Sequence, residues 1–308
     1  MRSKRNISPT GGFNWGIYLY IAALGFLFFL KWSQDDFFPN SIKKSEPYFK
    51  RKDPKKLPPQ IDWDKEKRKT GACTPHSNHL KWKDFNNRSY EMDWVVCRED
   101  YQLSAMKRSQ ANEYDQLIEH DARALEPILD AYRTLIEQED LNAFEALNMV
   151  VTSVQHIEYT LVHPYSHETI QWQGGAFYRW YHQQCKRNPM EQIGGCIQNA
   201  ATFGCLSPAE FAYHQMGDCD TRTTFLFLVL KRLGYDLLVI GGPYSAGSAH
   251  AILAVNTPYG QGKYYTFSGK RYYLFETTYF SNTVSPSSIG NFSPEIPYEQ
   301  KNWEILLY

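Results

Sequence analysis

The chain has 308 residues, with 33 Lys and Arg against 33 Asp and Glu and a hydrophobic share of 43%. The even charge balance excludes a basic chain that grips nucleic acid through its phosphates, so no nucleic acid is expected as partner. The apolar content excludes disorder throughout, and the length allows one large domain or two small ones.

Residues 13–32 (FNWGIYLYIAALGFLFFLKW) carry no charge before Lys31 and match the length a helix needs to cross a bilayer. Trp15 and Trp32 stand near its ends, and Arg2, Lys4 and Arg5 precede it. That pattern predicts a single-pass membrane anchor with residues 1–12 cytoplasmic and the rest periplasmic or extracellular. Lys31, Trp32, Ser33, Gln34 and Asp35 follow the apolar run in place of a small-residue cleavage site, which favours an uncleaved anchor over a signal peptide. Residues 33–70 hold Pro39, Pro47, Pro54, Pro58, Pro59 and many lysines, and read as a stalk. Residues 71–308 are then the extracytoplasmic domain, with its core at about 142–280.

The six cysteines are Cys73, Cys97, Cys185, Cys196, Cys205 and Cys219. In an oxidising compartment Cys73 pairs with Cys97, and one further pair forms among Cys185, Cys196 and Cys205. Cys73, His76, His79 and Cys97 together also make a possible zinc set, although their spacing is not that of a finger. His163 and His167 are a weaker candidate, because Pro164 disrupts any regular helical spacing. No metal is expected on balance. Asn87 and Asn291 each sit in a glycosylation acceptor sequence, which matters only in a eukaryotic secretory setting. Residues 71–100 show no clean period.

Beyond them the patterning is helical. Leu117, Ile118, Ala122, Leu125, Ile128, Leu129, Tyr132 and Leu135 recur at three- and four-residue steps, interrupted at Pro127. A second helix is expected over 142–159, a loop-rich stretch over 163–207, and a short helical piece from Pro208 that ends in His214 and Gln215. The final third changes character: an apolar helix over 219–233, a strand over 236–240, an alternating strand over 249–256, and a hairpin of 263–267 with 271–277. Helices followed by an antiparallel sheet define an α+β domain.

Three residues in this order carry chemistry. Cys219 opens the apolar helix after Gly217 and Asp218, where unpaired N–H groups and the helix dipole favour a thiolate and can hold an oxyanion. Asp220 is available to cap the first turn. His250 stands inside a strand and can act as base toward the cysteine. Glu276 ends the next strand and can orient the histidine. The strings GDCDTRTTFLFLVLKRLGYDLLVI, AHAILAV and YYLFETT, together with the helix at 148–159, resemble the transglutaminase-like superfamily over about 144–278. The resemblance implies a papain-like α+β core and a Cys219–His250–Glu276 triad, with Glu where the superfamily has Asp. It further implies acyl-thioester chemistry on a protein or peptide amide, with no cofactor. Gln155 is the candidate oxyanion donor. The alternative is an inactive scaffold or peptide-binding protein of the same fold at the cell envelope.

Overall fold

The computed structural model describes residues 73–157, 159–162, 196–197, 204–243, 249–278 and 298–308. The predicted anchor and stalk, the histidines of HPYSH, Cys185 and Asn291 lie outside them. No helix among the described residues is long and apolar enough to cross a membrane.

Residues 71–100 correct the sequence reading. They contain an antiparallel hairpin, β1 (Pro75–Lys83) and β2 (Ser89–Cys97). Tyr90, Met92, Trp94 and Val96 alternate inward along β2, so the period of two is present. On β1 only Leu80 and Trp82 are buried, and the polar HSNH run masks the pattern. A disulfide joins Cys73 to Cys97 where the two strands come together at their open end. Both sulfurs are therefore consumed, and the zinc set based on them is excluded.

The helical stretch after the hairpin is four helices rather than one interrupted helix: α1 (Arg98–Arg108), α2 (Tyr114–Ile118), α3 (Asp121–Ala124) and α4 (Glu126–Gln138). Pro127 does not kink a helix; it sits in the first turn of α4, where its missing N–H costs nothing. Helix α5 (Ala143–Gln155) starts at a capping box between Asn142 and Glu145. The two-residue strands β3 (Leu161–Val162) and β4 (Cys196–Ile197) pair in parallel. Helix α6 (Pro208–His214) starts at a second capping box, Ser207 with Glu210, and Gln215 ends it in the left-handed conformation.

Helix α7 (Cys219–Arg232) is the centre of the fold, with every side chain from Asp220 to Leu230 buried. A helix buried all round must be enclosed on all sides. It packs on α2, α5 and α6 and against a five-stranded antiparallel sheet of β5 (Leu237–Pro243), β6 (Ala249–Val255), β7 (Tyr264–Phe267), β8 (Lys270–Phe275) and β9 (Glu304–Leu307), in the order β7-β8-β6-β5-β9. Strand β9 is absent from the sequence reading, since four residues carry no period of their own. The β7–β8 turn places Ser268 and Gly269 at φ 48° and 77°, the mirror-image turn that suits the twist of a hairpin. Leu237, Val239, Ala251, Leu253, Val255 and Phe275 face the helices. Leu238, Ile240, Ile252, Ala254, Tyr272 and Leu274 form a second cluster with Trp303 and Ile305. The described part of the chain is thus an α+β domain built on antiparallel sheets.

Candidate active site

The first turn of α7 meets the open ends of β6 and β8. Cys219 is the first residue of α7 and stays partly exposed, whereas His250 and Glu276 are 7% and 5% exposed. His250 Nε2 lies 3.2 Å and 3.1 Å from the two carboxylate oxygens of Glu276. With that nitrogen donating to the carboxylate, the ring's basic site is Nδ1, on its other edge. The Thr223 hydroxyl lies 2.5 Å from the Cys219 carbonyl and 3.4 Å from that of Ala251, which sets the start of α7 beside the residue after His250. The structure therefore gathers the three residues that the sequence singled out.

Glu276 does not lie on a strand, as expected, but one residue past β8. Its Oε1 also accepts the Thr278 N–H at 2.9 Å and the Thr278 hydroxyl at 2.5 Å. Burial alone would raise this carboxyl, but His250 and these hydrogen bonds outweigh it and hold it below the ordinary carboxylate value. Thr277 tethers the other component, its hydroxyl 2.9 Å from that of Thr223, which in turn donates to the Cys219 carbonyl at 2.5 Å. All three residues of the Glu-Thr-Thr string are tied into the site, and sequence reasoning weighed only the first of them.

Gln155 ends α5, and its amide nitrogen donates to the Glu276 backbone carbonyl at 2.6 Å. That contact ties α5 to the backbone of the carboxylate residue and uses one of the amide's two N–H groups. The same helix end holds α7. Arg222, fully buried, donates to the carbonyls of Gly217 at 3.0 Å, Val154 at 3.3 Å and Ile157 at 2.6 Å. Burial lowers its pKa to about 10, which still leaves it a cation at neutral pH. Sequence reasoning passed over Arg222, whose one signal was an arginine at the start of an apolar helix. Gly217 is needed for space: a Cβ there would lie 2.4 Å from Cγ2 of Thr221.

The start of α7 departs from expectation in two ways. Asp220 does not cap the helix by the usual route; its Oδ1 takes the adjacent Thr221 N–H at 2.9 Å and its Oδ2 the Tyr114 hydroxyl at 3.1 Å. The N-cap residue is Asp218, whose carboxyl makes no bond to the helix N–H groups. Secondly, burial pushes the Cys219 thiol well above its ordinary value, with Asp220 and Asp218 pushing the same way, while the Ala251 N–H pulls against them. A helix N-terminus by itself favours thiolate. Here burial and two acidic neighbours win, so the resting sulfur carries its proton.

Compared with known protein families, with curated proteins and with solved structures, the chain matches none.

Proposed function

We propose that the protein is a transglutaminase-like cysteine enzyme that acts on peptide or glutamine-like amide bonds through an acyl-thioester, with hydrolysis favoured over crosslinking. The observation that carries this reading is the bidentate approach of Glu276 to His250 Nε2, beside a cysteine at the start of a buried helix. Cys219 attacks the carbonyl carbon while its thiol proton passes to His250 Nδ1. The imidazolium so formed is stabilised by Glu276. Collapse of the tetrahedral intermediate expels the amine, which takes the proton from His250. Water, deprotonated by the same histidine, then cleaves the thioester and regenerates the thiol. The Thr221 and Arg222 N–H groups are engaged by the Asp220 carboxyl and the Asp218 carbonyl. The Cys219 amide is then the first-turn donor nearest the sulfur for the oxyanion. Because the thiol rests protonated, proton transfer accompanies attack and does not precede it.

The protein is further proposed to be held at a membrane by residues 13–32, with its domain outside the cytoplasm. The Cys73–Cys97 disulfide supports an oxidising compartment. The raised thiol supports a second reading, an inactive scaffold or peptide binder of the same fold. Mass spectrometry of the detergent-solubilised full chain after treatment with a peptidyl electrophile separates the two. The enzyme reading expects one adduct, on Cys219, lost in His250→Ala, together with amine release from glutamine-containing peptides. No adduct up to about pH 9, where an ordinary thiol is largely ionised, sinks it in favour of the scaffold.

A further inference from the structure

A hydroxyl inside an apolar helix must find a partner, because a bare polar group is costly to bury. Helix α7 carries Thr221, Thr223 and Thr224, all fully buried. Thr224 is satisfied within its own helix, donating to the Thr221 carbonyl at 3.0 Å. Thr223 reaches further. One turn after Cys219, its hydroxyl lies 2.5 Å from the Cys219 carbonyl, 3.4 Å from the Ala251 carbonyl and 2.9 Å from the hydroxyl of Thr277, which is itself fully buried. A hydroxyl has one hydrogen and two lone pairs. With the Thr223 hydrogen given to its nearest acceptor, the Cys219 carbonyl, the Thr277 hydroxyl donates to Thr223. The contacts thus fall on Cys219 itself, on the residue after His250 and on the residue after Glu276. The β6–β8 ladder cannot hold Glu276 in place, since its pairs run from Val255–Tyr273 to Leu253–Phe275 and stop short of it. Past the ladder, the Glu276 backbone is held by the Gln155 amide and through Thr277.

We propose that Thr223 and Thr277 are positioning residues: a buried hydroxyl pair that fixes Glu276, and through it His250, against the start of α7. The proposal rests on the cysteine-enzyme reading for its effect on turnover, and on the hydrogen bonds alone for the tether. Both hydroxyls are enclosed by the fold, so neither is placed to contact a substrate. What they supply is geometry. Attack by the Cys219 sulfur, with its proton passing to His250, needs the two side chains at a fixed separation, and a small misplacement costs up to about a hundredfold in rate. Removing the Thr223 hydroxyl strands that of Thr277, whose one hydrogen bond among the described residues is to Thr223. Removing the Thr277 hydroxyl leaves Thr223 on the Cys219 carbonyl but cuts the link to the Glu276 segment. Neither change touches the binding of a peptide, so the loss falls on kcat and not on KM.

Amine release from a glutamine-containing peptide, measured on the full-length protein in detergent and scaled to folded protein, tests the role. Thr223→Val and Thr277→Val should each lower kcat about ten- to a hundredfold with KM unchanged within about twofold. Thr223→Ser, which keeps the hydroxyl, should restore most of the rate. The double variant should lose no more than the worse single one, since both act through one bond. Thr224→Val, which removes only a bond within the helix, should keep native turnover. A rise in KM with kcat unchanged, failure of serine to rescue, multiplied losses in the double variant, or an equal loss in Thr224→Val overturns the proposal. Hydrogen exchange of the same proteins, read by mass spectrometry over residues 270–278, tests the tether without any chemistry. Thr223→Val should speed exchange there about tenfold while the urea midpoint stays near the native one. Unchanged exchange in the folded variant overturns the tether. A native protein without turnover removes the enzyme reading and the positioning role with it, and exchange then decides the tether by itself. If Thr223→Val does not fold, Thr277→Val, which leaves α7 untouched, is read in its place.

Discussion

Glu276 and the Asp218–Asp220 pair are all buried carboxyls within one site, yet they are driven in opposite directions. Glu276 faces His250 and takes two bonds from Thr278, and it is held below the ordinary carboxylate value. The aspartates are held by Thr221, Val162 and Tyr114, and burial raises both. Depth is equal, so the surroundings decide: His250 and the two Thr278 donors outweigh desolvation at Glu276, whereas at Asp218 and Asp220 desolvation exceeds what their donors give back. Charge is thereby kept where the imidazole must be oriented and reduced where the thiol must lose a proton.

The largest test of that contrast is Glu276→Gln. It keeps the shape, removes the charge and releases the tautomer of His250, so amide hydrolysis should fall about 10³–10⁴-fold in kcat. A loss under tenfold would mean that Glu276 does not orient the base. Next comes Arg222→Met, which strips the buried cation from its three carbonyls. Urea unfolding should show about 3–5 kcal/mol lost, with accelerated proteolysis at the α5–α7 junction.

Asp121 offers a third buried carboxyl for calibration. It accepts from the Ser104 hydroxyl and from the Ala209 N–H at 2.7 Å, but burial still raises it from 3.8 to about 7. A raised folded value means the native state holds the proton more tightly than the unfolded chain. Its contribution is thus complete below about pH 4 and is lost as pH rises through about 7, by roughly 2–4 kcal/mol. Asp121→Asn should flatten thermal stability across that window; an unchanged slope would count against the burial argument. Glu276 has the opposite sign: its contribution is present above its ordinary 4.5 and disappears as pH falls through its lower folded value. The smallest effect is expected for Thr278→Val, which keeps the N–H bond to Glu276 and loses the hydroxyl. The acid limb of the alkylation profile should move up by a fraction of a pH unit.

Much of this was legible in the chain. Helix α7 announced itself by its length and apolar run, β6 by its alternation and the β7–β8 hairpin by Ser268-Gly269, and their order put Cys219, His250 and Glu276 within reach of one another. The β1–β2 hairpin was missed although Tyr90, Met92, Trp94 and Val96 alternate, because the polar first half of β1 hides its partner's period. The roles of Gln155 and Arg222 were illegible, because a hydrogen bond across 121 residues leaves no local pattern.

The sequence by itself determined α5, α7, β5, β6 and the β7–β8 hairpin, and the nucleophile's place at a helix start, since periodicity and end signals are local properties. It offered Cys73 with Cys97 both as a disulfide and as part of a zinc set, and the structure selected the disulfide. Only the tertiary structure decided the state of the thiol. A helix dipole is a local argument for thiolate, but burial and the charges of Asp218 and Asp220 depend on what the whole fold packs around the sulfur, and together they raise the thiol.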